Sequence, residues 1–275
     1  MVTSKTVHVK VRKITSVAVG GGNGYFSGGN SGGGDQVTTH KVTFSTDSIA
    51  TVSGGDLPAN RKSMASFNSS DNGYFSGGDV SGTLYSSAAK FAFSSETAST
   101  LTTALMIART RLQATNSSTV GYSSGGANDS GTVMYTDTDK LTFSSDSVSN
   151  VSAAALSIGR RSIATANSST NGYIVGGEDV NLARTSRVDK LVFSSETTSS
   201  LGNLLSNARK ELCGCNSTTN GYFSGGNTSG GAVTTTERIV FSSDTVSTVA
   251  AAALTSSRSV PMACNSSTNG YIAGG

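Results

Sequence analysis

The apolar positions of this chain fall in short alternating runs. Lys41-Val-Thr-Phe44, Lys90-Phe-Ala-Phe93, Lys140-Leu-Thr-Phe143, Lys190-Leu-Val-Phe193 and Arg238-Ile-Val-Phe241 each set an apolar residue and a Phe two positions apart. A period of two puts both on one face of a strand and turns the basic residue away from the first of them. Each run stands downstream of another extended segment, Gly-Tyr-x-x-Gly-Gly, and of a polar turn rich in Asn and Ser. The turn predicts a hairpin, because Asn-Gly tolerates positive φ and Asn and Ser side chains bond back to the backbone.

The fullest copy of this signature is Asn265-Ser-Ser-Thr-Asn-Gly-Tyr-Ile-Ala-Gly-Gly275, with others at 216–226, 167–177, 116–126 and 68–78 and a shortened one at 22–29. Tyr25, Tyr74, Tyr122, Tyr173, Tyr222 and Tyr271 are spaced by 49, 48, 51, 49 and 49 residues. A period near 50 built on Gly-Gly doublets predicts an all-β propeller. An arginine keeps the same offset from each tyrosine: Arg12, Arg61, Arg109, Arg160, Arg209 and Arg258. Cutting at the arginines divides a single propeller of residues 1–275 into units 12–60, 61–108, 109–159, 160–208 and 209–257, with a partial unit 258–275 and a leading segment 1–11.

Each unit reads as four strands. The first follows the arginine and carries small residues, as in Arg160-Arg-Ser-Ile-Ala-Thr-Ala166, which suits a crowded position near an axis. The last segment starts as a strand and becomes rich in Ala and Leu, as in Leu101-Thr-Thr-Ala-Leu-Met-Ile-Ala-Arg109; it is expected to be strand plus loop rather than helix. The unit at 258–275 supplies only two strands. A propeller has to cover its edges, so the alternating segment Thr6-Val-His-Val-Lys-Val11 is expected to complete the last blade of a six-bladed ring.

Composition narrows the chemistry. Only 13% of the 275 residues are charged and the formal net charge is +3, too small and too evenly spread for a nucleic-acid surface. The neutral, hydroxyl-rich exterior points to an extracellular or virion surface, although the amino terminus shows no apolar stretch of the kind a signal peptide needs. No segment is long enough to span a bilayer as an apolar helix. Cys213, Cys215 and Cys264 lack the spacing of a zinc site or a disulfide framework and are expected to be small core residues.

The Gly-Gly doublets, the hydrophobic third strand and the arginine opening each unit resemble kelch repeats over residues 12–275. Kelch units usually carry a late Trp, and this chain has none, so Phe and the Ala/Leu tail are expected to fill that volume. The Asn-Ser-Ser-Thr-Asn-Gly-Tyr style also resembles kelch-like proteins encoded by phages. The kelch resemblance includes a copper oxidase whose His, Tyr and Cys constellation has no counterpart here, since His8 and His40 are the two histidines and both sit in polar surroundings. Propeller sialidases bring an Arg cluster and Ser-x-Asp turns. Here the Ser-Ser-Asp/Glu turns (Asp47, Glu96, Asp146, Glu196, Asp244) lack the accompanying Gly or Trp, and their acids are expected to cap amides at the bend.

The expectation is therefore a non-enzymatic structural or binding propeller on a particle exterior, such as a decoration, fibre or tail protein of a phage virion. Its partners would be other virion or surface proteins, with no cofactor and no metal; the alternative is a carbohydrate-binding propeller, lectin-like or glycan-directed. Arg61, Arg109, Arg160, Arg209 and Arg258, with Tyr74, Tyr122, Tyr173, Tyr222 and Tyr271, are expected to be structural. The arginines would pair with turn acids or with carbonyls of the neighbouring blade, rather than form an anion-gripping ring. Candidate binding residues lie in the connections between second and third strands, where the units differ: Asp79, Tyr85, Asn128, Asp129, Tyr135, Glu178, Asp179, Arg184 and Arg187.

Overall fold

The computed structural model describes residues 3–6, 17–32 and 34–275. Five four-stranded antiparallel sheets follow one another in sequence. Blade one is Val17–Gly20, Asn23–Ser27, Thr39–Thr43 and Ser48–Thr51. Blade two is Ala65–Asn68, Asn72–Ser76, Ser87–Ala92 and Thr97–Ala104. Blade three is Gln113–Asn116, Val120–Ser124, Thr138–Thr142 and Ser147–Asn150. Blade four is Ala164–Asn167, Asn171–Val175, Arg187–Val192 and Thr197–Asn203. Blade five is Cys213–Asn216, Asn220–Ser224, Thr236–Val240 and Thr245–Thr248.

A sixth, three-stranded sheet joins Met262–Asn265 and Asn269–Ala273 to Thr3–Thr6. The first strand of every sheet touches that of the next, and Val17–Gly20 touches Met262–Asn265, so the ring closes. The start of the chain joins the last sheet, through Thr3–Thr6, as a third strand parallel to Asn269–Ala273. Residues 7–11, where the closing strand was expected, lie outside the described residues. The parallel register sets Lys5 opposite Tyr271, the position that Lys41, Lys90, Lys140 and Lys190 hold opposite their own tyrosines.

Small residues on the inner strands answer a steric demand. A Cβ on Gly214 would lie 2.0 Å from the backbone oxygen of Thr165 in blade four, so a side chain there would force two blades apart. Two residues before the inner strands of blades two to six, a backbone chain links blade to blade around the axis. Arg111 N–H donates to Ser63 O, Ser162 to Arg111, Glu211 to Ser162 and Val260 to Glu211, at 2.8–2.9 Å. All five residues hold positive φ, 54–61°, a conformation that non-glycine residues enter at a cost. Ser, Arg, Glu and Val side chains therefore share one backbone task.

The Ala/Leu tails are strand ends, loops and two 3-10 turns, Ser152–Ala154 and Ala250–Ala252. Their leucines, Leu57, Leu105, Leu156, Leu205 and Leu254, are buried. Cys213, Cys215 and Cys264 are buried free thiols. Burial pushes all three up, Cys215 to about 12, so the reactive thiolate is scarce at neutral pH. A soluble disulfide reagent is expected to leave the native protein unlabelled and to titrate the thiols only after denaturation; rapid native labelling would contradict the packing.

Candidate functional site

The ring presents two faces. The Asn-Ser turns and the Ser-Ser-acid turns share one, the turn face; the loops between second and third strands and those leading into the arginines share the other, the loop face. The repeat residues account for how neighbouring blades hold together, and what they leave uncommitted locates the site.

Each turn acid reaches out of its own blade. The Tyr25 hydroxyl donates to Glu96 at 2.9 Å, Tyr74 to Asp146 at 3.2 Å, Tyr122 to Glu196 at 2.9 Å, Tyr173 to Asp244 at 2.7 Å, and Tyr271 to Asp47 at 2.8 Å across the ring closure. Lys41, Lys90, Lys140 and Lys190 bond the same carboxylates at 2.7–2.8 Å. The tyrosine ring stacks on the Phe that precedes that acid in the next blade, with centroids 5.0–5.6 Å apart. These acids were expected to cap amides at their own bends. Instead each stands at the positive-φ corner of its turn, φ 52–56°, and its carboxylate joins the blade before.

The clamp has a titration signature. The Lys41 and Lys140 ammonium groups hold Glu96 and Glu196 below the usual carboxylate range. Their contribution to stability is therefore full above the unfolded glutamate pKa and is lost as pH falls through the folded one. Burial first, and the neighbouring acid second, push Tyr25, Tyr122 and Tyr173 upward; for Tyr74 the order is burial and then the charge of Asp146. That contribution is full below the unfolded tyrosine value and is lost as pH rises through the folded one. Stability should thus fall below about pH 4 and above about pH 10, and the tyrosinate absorbance of Tyr25, Tyr74, Tyr122 and Tyr173 should appear only with unfolding. Ordinary titration of these four tyrosines in the folded protein would refute the clamp.

The arginines fill buried sockets on the loop face. Arg109, Arg160 and Arg209 bond Asp139, Asp189 and Glu237 at 2.7–2.9 Å, and both members of each pair are almost fully buried. Each also donates to the second-strand carbonyl of its own blade, from Ser123, Ile174 or Phe223. Partners were expected among turn acids or in the neighbouring blade; they are third-strand acids of the same blade, directly before the lysine or arginine of that strand. Blade two has Ala89 at that position, and Arg61 bonds Ser87 and lies 4.7 Å over the Tyr85 ring. Arg258 donates to Gly274 O at 2.7 Å. None of these guanidinium groups forms an open anion-binding ring.

Most of the candidate loop residues are committed as well. Asp79 is buried, accepting from Thr110 and pairing with Lys62; Glu178 is buried between Arg161 and Lys210. Asn128 bonds Thr132 and Val133 of its own loop, and Asp179 accepts from Asn181 and Ala183 N–H groups in its own. Arg184 donates to Asn227, and Arg187 to Ser157 and Ser200. Tyr135 is half-buried and pinned by its backbone to Gly126, whereas Asp129 is exposed. His40 is half-buried, with burial lowering its pKa, and His8 lies outside the described residues.

The turn face carries a concavity of about 1380 Å³ around the axis, lined by the Asn-Ser turns of blades two to six and by the corresponding part of blade one from Val19 to Asn23. The first Ser of each turn is spent locally: Ser168 Oγ, for example, accepts from the N–H groups of Thr170 and Asn171. The second position, Ser70, Ser118, Ser169, Thr218 or Ser267, is exposed to the funnel. Among the described residues, the lining holds no Asp, Glu, Lys, Arg, His, Cys or Tyr. The sequence showed these turns as hairpins; that their side chains converge on one cavity is a product of closure.

No protein-family model and no curated protein matches the chain. Solved structures do match. One titled "Structure of YjhT" aligns with a TM-score of 0.77 over 92% of this chain and 87% of that one, at 13% identity. The chain is a β-propeller. At such low identity the likeness extends to the fold alone, and 543 solved chains match, so function has to be argued from the site.

Proposed function

We propose that this propeller is a non-enzymatic binding and structural protein of a particle exterior, a kelch-type component of a phage virion that meets its receptor or a partner protein through the neutral funnel. One observation carries the reading: among the described residues, the concavity on the turn face is lined mainly by Asn, Ser and Thr, with Val19, Phe44 and glycines, and by no titratable group. Such a lining offers hydrogen bonds but neither a general base nor an activated nucleophile. Arg109, Arg160 and Arg209, with the acids that the fold brings to them, are consumed in buried pairs. The low charge of the surface and the phage-like style of the repeats support the location.

The same lining suits a neutral glycan, whose hydroxyls exchange hydrogen bonds with Asn and Ser, although Tyr85 and Tyr135, the rings available for stacking among the loop candidates, lie on the opposite face. Ser118→Glu with Ser169→Glu, both at exposed positions, should abolish attachment to the receptor while leaving the melting temperature unchanged. Unaltered attachment would move the site elsewhere. Mass spectrometry of purified particles should find the chain at stoichiometric abundance, and its absence would overturn the location. Specific retention of a neutral oligosaccharide on a glycan array would favour the lectin reading over protein contact.

A further inference from the structure

The clamp between blades five and six is half built. Tyr222 stands opposite Arg238 as the other tyrosines stand opposite their lysines. In every other blade the tyrosine meets a Phe and an acid from the next blade. The sixth sheet has no third-to-fourth-strand hairpin to provide them among the described residues. Tyr222 is only half-buried, whereas Tyr25, Tyr74, Tyr122, Tyr173 and Tyr271 are buried. Arg238 has no carboxylate partner among the described residues, and its Nε is buried and unbonded. Beside them lies a small cleft lined by Cys215, Thr236, Ala252 and Ile272. Residues 1–16 contain no Asp, Glu, Phe or Tyr, so that segment has neither missing group to offer.

We propose that Tyr222 and Arg238 form a docking site for a β-turn of another polypeptide, one bearing an acid and a preceding aromatic in the manner of Phe-Ser-Ser-Asp. The chemistry is specified by the chain itself. In the filled clamps the carboxylate takes a tyrosine hydroxyl and an ammonium at 2.7–3.2 Å while the Phe covers the tyrosine ring. At the open clamp the cation is a guanidinium, which can grip a carboxylate with two nitrogens. An acidic turn would thus meet complementary charge, a hydroxyl donor and an aromatic ring that is only half-buried. This site stands whether or not the chain sits on a particle, and it is separate from the funnel.

A labelled peptide with the sequence of residues 143–151, Phe-Ser-Ser-Asp-Ser-Val-Ser-Asn-Val, titrated into the full chain and followed by fluorescence anisotropy, tests it. Saturable binding is expected. Asn in place of the peptide's aspartate, or Arg238→Ala in the protein, should each weaken it at least about tenfold, as expected for a charge-assisted contact. Lys190→Ala, at a filled clamp, should leave it unchanged. The proposal is overturned by absence of saturation at about 1 mM peptide, by equal binding of the Asn peptide, or by indifference to Arg238→Ala. A self-associated chain that excludes the peptide, seen by sedimentation, also counts against it. Because the readout is peptide binding, its failure leaves particle proteomics and receptor attachment untouched.

Discussion

Alanine in place of Asp189 is expected to lower unfolding free energy by about 3–5 kcal/mol, because it leaves the Arg160 guanidinium charged and unpartnered in the interior. The two residues are fully buried, bonded at 2.9 Å. Arg160 would keep only its bonds to Arg187 O and Ile174 O, while Ser157, whose hydroxyl and N–H both donate to Asp189, would lose its acceptor as well. Burial already lowers the Arg160 pKa, with Asp189 opposing the shift. Removing both charges, as Arg160→Met with Asp189→Leu, should recover most of the loss. Denaturant unfolding of the two single variants and the double variant measures this; a single variant within about 0.5 kcal/mol of wild type would show that the pair is solvated.

The second large effect is at Tyr173. Its ring is fully buried, stacks 5.2 Å from Phe241 and donates to Asp244, so Tyr173→Ala opens a cavity between blades four and five and is expected to cost about 3–5 kcal/mol. Tyr173→Phe removes only the hydroxyl and should cost about 1 kcal/mol. Tyr222→Phe, at the half-built clamp, should be nearly neutral. Chemical denaturation compares the three; equal penalties at Tyr173 and Tyr222 would show that the sixth sheet supplies a clamp partner after all.

How much of this was legible in the sequence depends on whether a signal repeats and how far its effect travels. The tyrosine period and the two-residue alternation ending in Phe are local, and they define the blades. The destination of the turn acids was not legible. Asp146 is a good local capping residue, and only closure brings Tyr74 of the preceding blade to its carboxylate. The socket acids did leave a trace, since Asp139, Asp189 and Glu237 each precede the basic residue of the third strand. The trace is broken by His40 and Ala89 in the first two units, where Arg61 turns to Tyr85 and Ser87 instead. The loop candidates were chosen for variation between units, which marks freedom from the repeat but does not distinguish a ligand from a neighbour. Asp79 and Glu178 both follow a Gly-Gly doublet, and each meets the basic residue next to its unit's arginine, Lys62 or Arg161. The funnel was hidden for the opposite reason: its residues repeat so regularly that they read as turn chemistry alone.

Every clamp points the same way around the ring, with the tyrosine of one blade receiving the acid of the next and Tyr271 returning to Asp47. A chain held together in this manner has a head and a tail at any cut. If the seam between blade one and the sixth sheet opens, the exposed Tyr271 end of one molecule fits the exposed Asp47 end of another, and the same bonds that close the monomer can extend a filament. Heterologous contacts of this kind stop growing only when curvature brings the ends together. The circle is then a polymer that terminates on itself, and its resistance to polymerising with its neighbours rests on the high local concentration of its own other end.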